Sequence, residues 1–359
     1  MDKTSLYQKH VNLEAKILEY AGYMMPINYK NGIQYEYNAI RNNVGVFDVS
    51  HMGEIFISGK DSKKILSKLT INNIDNIDIN QAQYTAICNE NGGIIDDIIL
   101  YKLDDYDFML IVNASNLDKV YNWFLENNKY DCKVNDRTND YSLLALQGPG
   151  SRKILKNTLN EDISLRFYHH NKYQFDSHEI LVSRTGYTGE LGYEILGKHN
   201  VINKIWDEFI NKEVIPCGLA VRDVLRLEMK YCLYGNDINE KITPIEAGLK
   251  WIVNNTKDYI GKNVIENQIE NGVKEKLMCI KMIDKSIPRT GYEIFFNNEK
   301  IGEISSGTFS TKLKSGIAMA YIKSSHNRKN SIVDIKIRGK YFKGEIVKPP
   351  FINNFSLHK

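Results

Sequence analysis

Cysteine is scarce and poorly placed for either of its collective uses. The five cysteines, Cys88, Cys132, Cys217, Cys232 and Cys279, are odd in number and no two have metal-ligand spacing. The expectation is free thiols in a reducing compartment, with no metal. Long apolar runs are also missing: none approaches the ~20 residues that cross a bilayer. The first ten residues have neither an apolar signal core nor Arg-rich transit character. The expected product is cytoplasmic, or a mature form stripped of its targeting segment. Charge of one sign is absent as well, since 47 Lys and Arg against 44 Asp and Glu leave a net +3. With no basic stripe interleaved with aromatics, nothing argues for nucleic acid.

Two nucleotide fingerprints fail. The Gly-rich turn Gln147–Ser151 leads into a helix but lacks the Lys-Ser/Thr of a P-loop. Glycines 186, 189 and 192 are spaced GxxGxxG, not GxGxxG, and lead into a hairpin instead of a helix. No internal repeat or low-complexity segment is present.

What remains is an ordinary globular composition, 42% hydrophobic and 25% charged, in a 359-residue chain long enough for two or three domains. Its clearest stretch is a three-stranded meander: strands Tyr84–Cys88, Ile94–Leu103 and Phe108–Asn113, with turns at 89–93 and 104–107. Asn and Gly between β-branched runs supply the positive φ of tight turns. Helices are expected around 32–43, 61–69, 116–127, 151–158 and 217–230, and Val44–Ile55 reads as strand or tight loop. A polar run at 271–276 marks a domain boundary. Beyond it, short β-type runs at 277–283, 292–296, 300–305, 317–322, 332–338 and 342–347 have the spacing of a small antiparallel barrel or sandwich.

Several polar residues sit where a fold alone does not need them. Asp96 and Asp97 lie mid-strand, and Asp is a poor strand residue. Successive side chains point to opposite faces, so only one of them can line a given pocket. The flanking residues do not say which, and one solvated and one paired Asp would be the plain structural alternative. His51 alone, without a partner at ligand spacing, reads as structural, and Met52 as core or as the floor of a flat ring. Glu194, between Tyr193 and Ile195, suits a bidentate contact to an aminopyrimidine edge; a cross-strand Lys or Arg partner is the alternative. Arg222 and Arg226 share a helix face, and the apolar residues around Arg226 bury it, so its guanidinium must find acceptors. An intrahelical pair with Asp223 is the simplest of these.

Taken in order, Gly45–Glu54, Gly92–Tyr101, Leu143–Gly148, Thr185–Ile195, Gly218–Glu228, Cys232–Asp237 and Asp258–Lys262 resemble the aminomethyltransferase (T-protein) family of the glycine cleavage system over essentially the whole chain. Ser305–Ser310 and Lys348–Phe351 fit as well. The resemblance implies an α+β, three-domain cloverleaf around a central folate-binding channel, with antiparallel sheets, helices and a small C-terminal antiparallel β-barrel. Residues 1–272 would be the catalytic region, as two interwoven subdomains of about 1–140 and 141–272, and 273–359 the barrel. It implies Asp96, not Asp97, as the catalytic carboxylate and Glu194 with Arg226 as the folate-contacting pair. Met52, Tyr84, Asn113 and Tyr187 would be further pocket walls. It also implies tetrahydrofolate as co-substrate, no metal, and lipoylated H-protein as partner, whose aminomethyl group would yield ammonia and 5,10-methylenetetrahydrofolate.

Three departures from the family pattern stand out. Met229–Tyr231 replaces a segment that is usually small, Thr311–Lys312 stands where relatives carry Pro-Thr, and Phe351–Ser356 lacks the basic or tyrosine residue near the folate tail. Relatives of the same fold demethylate small amines or sulfonium compounds. A folate-binding accessory group of iron–sulfur assembly carries a cysteine motif where this chain has Asp258–Lys262, without cysteine.

Overall fold

The central meander strand is apolar on both faces, so both need cover, and helices provide it on one of them. The computed structural model describes residues 1–353 and 355–358; Asn354, inside the departing C-terminal stretch, lies outside them. The meander strands Gln81–Cys88, Ile94–Lys102 and Asp107–Val112 continue through Gly53–Ser58 and Lys133–Asp136 into a five-stranded antiparallel sheet. Helices Ser62–Leu69 and Leu117–Asn127 place Ile65, Leu66, Val120 and Phe124 on one side of it, against Ile55, Ile98, Leu100 and Leu110. Four-residue spacing puts Val120 and Phe124 on one helix face, and likewise Ile65 with Leu69, which Leu66 flanks.

The turn after the first meander strand explains its glycines. Gly92 has φ +77°, and a Cβ on Gly93 would fall 1.8 Å from the Glu240 carbonyl oxygen. Only glycine lets the turn lie against the 239–242 loop, whose Asn239 and Ile242 carbonyls accept from Ile94 N–H. The register from Gln81–Lys102 runs unbroken to Ala86–Asp97 and Ile87–Asp96, and it shifts only beyond them, before Cys88–Ile94. Within that register, strand alternation sends the two aspartates to opposite faces.

A second sheet takes Ser142–Gln147, His170–Phe175, His178–Ser183 and Gly192–Gly197, and adds Gly45–Asp48 from the N-terminal part. The stretch read as strand or loop is thus two strands that part company at 49–52: Gly45–Asp48 joins this sheet and Gly53–Ser58 the other. Helix His199–Asn211 covers its outer face with Val201, Ile205, Trp206 and Phe209. The two sheets meet through their remaining faces, where Tyr101, Met109 and Ile111 pack near Phe47, Leu143 and Ala145. The third unit is a closed six-stranded antiparallel barrel built from Glu275–Met282, Glu293–Phe296, Glu299–Ser310, Ser315–Lys323, Ile332–Ile337 and Lys340–Val347. All six expected β-runs are in it, and helix Leu219–Glu228 packs on two of its strands. No helix among the described residues is long and apolar enough to cross a membrane.

One buried acid in this frame has no hydrogen-bond donor. Glu54 is 1% exposed, and neither carboxylate oxygen finds a partner among the described residues. Burial, and then the charge of Asp136, holds its proton far above the usual carboxylate range. A raised folded-state pKa means that the native form binds the proton and the unfolded form releases it. Stability is therefore lost as pH rises from the unfolded value of 4.5 toward the raised one, by up to about 1.4 kcal/mol per pH unit. Glu54→Gln removes that slope: its unfolding free energy gains on the wild type as pH rises. A difference between the two proteins that stays constant with pH would contradict this.

Candidate active site

The two aspartates are separated by strand alternation. Asp96 points, with Ile98 and Leu100, under the helices, and it is completely buried. Its carboxylate accepts from Asn113 N–H at 3.0 Å, Asn113 Nδ2 at 2.8 Å and Asn116 Nδ2 at 2.5 Å. Those donors lie in the turn between strand Asp107–Val112 and helix Leu117–Asn127, so Asp96 fixes that turn. Asp97 points, with Ile99, to the opposite face, into a cavity of about 890 Å³. It accepts from Tyr84 Oη at 2.9 Å and Asn113 Nδ2 at 3.0 Å.

The expected cavity carboxylate, Asp96, is therefore corrected to Asp97; Asp96 does not line the cavity. Burial lifts both carboxyls above the ordinary aspartate range, and the charge of Asp97 adds to the effect on Asp96. The pair thus holds a proton to higher pH than an isolated Asp, as two buried carboxyls in contact through one amide must.

The other expected site residues, Met52, Tyr84, Asn113, Tyr187, Glu194 and Arg226, all border this cavity. Glu194 sits opposite Ser183 in the second sheet and accepts from Thr185 Oγ1. Its other oxygen has no donor among the described residues and is open to a ligand N–H. Tyr187 donates to the Cys232 carbonyl and stacks on Tyr231 at 5.7 Å. Tyr84 stacks on Trp251 at 5.8 Å. Trp251 is 70% exposed, so the stack marks the cavity mouth. Flat aromatic walls with a few polar groups suit a planar heterocycle.

Arg226 departs from its expected role. Its Nε donates to Asp223 at 2.8 Å, Nη1 to the Tyr231 carbonyl at 3.0 Å and Asp237 at 2.6 Å, and Nη2 to Ser306 at 2.9 Å and Asp223 at 2.8 Å. Five contacts engage the five N–H groups of the guanidinium, which leaves none for a ligand. Arg222, one turn earlier, is the arginine that remains available. It lies over the Tyr187 ring at 4.8 Å, and its buried Nη1 has no hydrogen-bond partner among the described residues. The sequence carried part of the signal: Asp223 lies three residues before Arg226, at pairing distance along a helix, whereas Asp237 reaches it only through the fold.

His51 also borders the cavity, edge-on to Tyr20 at 5.6 Å. Burial pushes its pKa down to about 4, so it is neutral near pH 7. A smaller cleft of about 290 Å³ lies beside Arg41 and Glu190. There Arg41 is already paired with Glu190 at 2.8 Å and Glu228 at 2.6 Å, so the large cavity is the better candidate. Among the described residues no group of three His, Cys, Asp or Glu has the geometry to hold a metal.

Comparison with known proteins agrees across the chain. Residues 6–257 match the family described as GCVT N-terminal domain, and 275–353 match the glycine cleavage T-protein C-terminal barrel domain. An aminomethyltransferase of Thermosipho melanesiensis is 43% identical over 98% of this chain and 97% of its own length. Another from Bacillus subtilis is 38% identical over 98% and 99%. The crystal structure of glycine cleavage system aminomethyltransferase T from Bartonella henselae superposes with a TM-score of 0.94 at 30% identity, covering 99% of both chains.

The two arginines should separate on substitution. Arg226→Gln leaves Asp237 buried without its partner and is expected to cost about 3–5 kcal/mol in urea unfolding. Arg222→Gln is expected to cost under about 1 kcal/mol. Equal losses would contradict the division of roles.

Proposed function

We propose that this chain, which belongs to the glycine cleavage T-protein family, is a tetrahydrofolate-dependent aminomethyltransferase. In this reading it takes the aminomethyl group from the lipoyl arm of H-protein and passes the carbon to tetrahydrofolate, releasing ammonia and leaving the arm as the reduced dithiol. The observation that carries the reading is the Asp97 carboxylate, held by Tyr84 and Asn113 at the wall of an aromatic cavity.

The cavity residues fit a reduced pterin. Glu194 offers an acceptor to the N–H and NH₂ edge of an aminopyrimidine ring, Tyr84 and Tyr187 offer flat walls, and Arg222 offers a free guanidinium to a ligand oxygen. Tetrahydrofolate supplies the amine that receives the carbon. The chain's own part is positional and electrostatic. Two folate nitrogens bond to the carbon as its bonds to nitrogen and to the lipoyl sulfur break, releasing ammonia and the thiol of the arm, and positive charge develops on that carbon in between. A fixed carboxylate in a water-poor pocket stabilises that charge without reorganising. The lifted basicity of Asp97 also suits it to accept the proton released by the attacking amine. Asp96 takes no direct part. It holds Asn113 and Asn116, and Asn113 in turn holds Asp97.

The experiment combines the protein, aminomethylated H-protein and tetrahydrofolate and follows ammonia. Release that requires all three, with methylenetetrahydrofolate formed in step, is expected; its absence would overturn the reading. The pH profile adds a second readout. Because the active form is the carboxylate and its pKa is raised by burial, kcat/KM should fall on acidification well above the ~4 of an ordinary Asp. An acid limb at ~4 would count against Asp97.

A further inference from the structure

The cavity borders hold one more cation whose role the folate reading leaves open. Arg226 is fully engaged and His51 is neutral, so Arg222 and Lys230 are the cavity-lining positive charges not paired with a carboxylate among the described residues. Lys230 follows helix Leu219–Glu228 at φ +62°, in the left-handed region that disfavours any side chain other than glycine. Its Nζ donates to the Ala247 carbonyl at 2.8 Å. An ammonium has three donors, so this contact leaves two. Gly248 lies directly beneath: a Cβ there would sit 3.0 Å from Nζ. The side chain is partly exposed, on the loop side that also carries Leu249 and Trp251.

We propose that Lys230 anchors a carboxylate of the glutamate tail of the folate, an inference that rests on the reading above. Tetrahydrofolate ends in a glutamyl group with two carboxylates, and an anion drawn to a partly dry rim needs a cation beside it. A lysine on a flexible stem meets such a terminus as a point charge and follows it as it moves. The lysine therefore sets a preference for glutamylated over unglutamylated ligands and leaves recognition of the pterin ring to Glu194.

The test measures binding of tetrahydrofolate and of tetrahydropteroate, which lacks the glutamate, to the full chain through quenching of tryptophan fluorescence. The wild type is expected to favour tetrahydrofolate by about tenfold, the scale of one charge-assisted hydrogen bond. Lys230→Gln should erase that preference by weakening tetrahydrofolate alone, and Lys230→Arg should retain it. If Lys230 only ties the helix end to Ala247, the glutamine variant will bind both compounds less well and keep the ratio, which overturns the proposal. Failure of the wild type to bind either compound would overturn the folate reading together with it.

Discussion

The site depends on a single amide. Asn113 Nδ2 touches Asp96 Oδ1 and Asp97 Oδ1, the carboxylates of two residues that strand geometry sends to opposite faces of one sheet. One carboxylate belongs to the packed interior and the other to the cavity, and the side chain between them transmits the order of the first to the second. Asn116 and the Asn113 N–H complete the set of donors around Asp96. Without them a buried carboxylate would be severely destabilising. With them it becomes a rigid support. The cavity carboxylate is therefore positioned from the core of the five-stranded sheet, through the 113–116 turn that Asp96 holds.

A second constraint joins the three units around the same space. Arg226 reaches Asp237 and Ser306, and Ser305 donates to the other Asp237 oxygen at 2.5 Å. The network thus runs from helix Leu219–Glu228 through the 231–237 segment to the barrel strand Glu299–Ser310. Tyr321 donates to the Asp237 carbonyl at 2.6 Å from the neighbouring barrel strand. The barrel fixes the helix that carries Arg222, and Pro349 and Pro350, just after its last strand, border the cavity. A buried ion pair is weak evidence of stability by itself. Here its effect is to set the register between units.

Much of this was legible in the residues. The meander was, because Asn89–Gly93 can only be a turn between β-branched runs, and so were the six barrel strands, because their spacing is regular. Alternation showed that only one aspartate could face a pocket. The choice between them was not legible, because both faces of Ile94–Lys102 are buried and equally apolar, and the resemblance settled it the wrong way. Arg226 differs for a related reason: the resemblance implies a ligand contact for it, whereas its acceptors Asp223 and Asp237 are in the chain itself. The bulk at Met229 is accommodated by Gly189, where a Cβ would meet Met229 Sδ at 2.5 Å. That contact joins segments about forty residues apart, and no local pattern encodes it.

The carboxylate facing the cavity belongs to Asp97. The decisive measurement is single-turnover ammonia release from aminomethylated H-protein in Asp97→Asn and Asp96→Asn, with tetrahydrofolate binding checked in each. The Asp97 variant is expected to lose about 10²–10³ in rate with binding retained, and the Asp96 variant to lose less while also losing stability. A folded Asp97→Asn protein turning over at near wild-type rate, beside an inactive and equally stable Asp96→Asn protein, would contradict this division of roles.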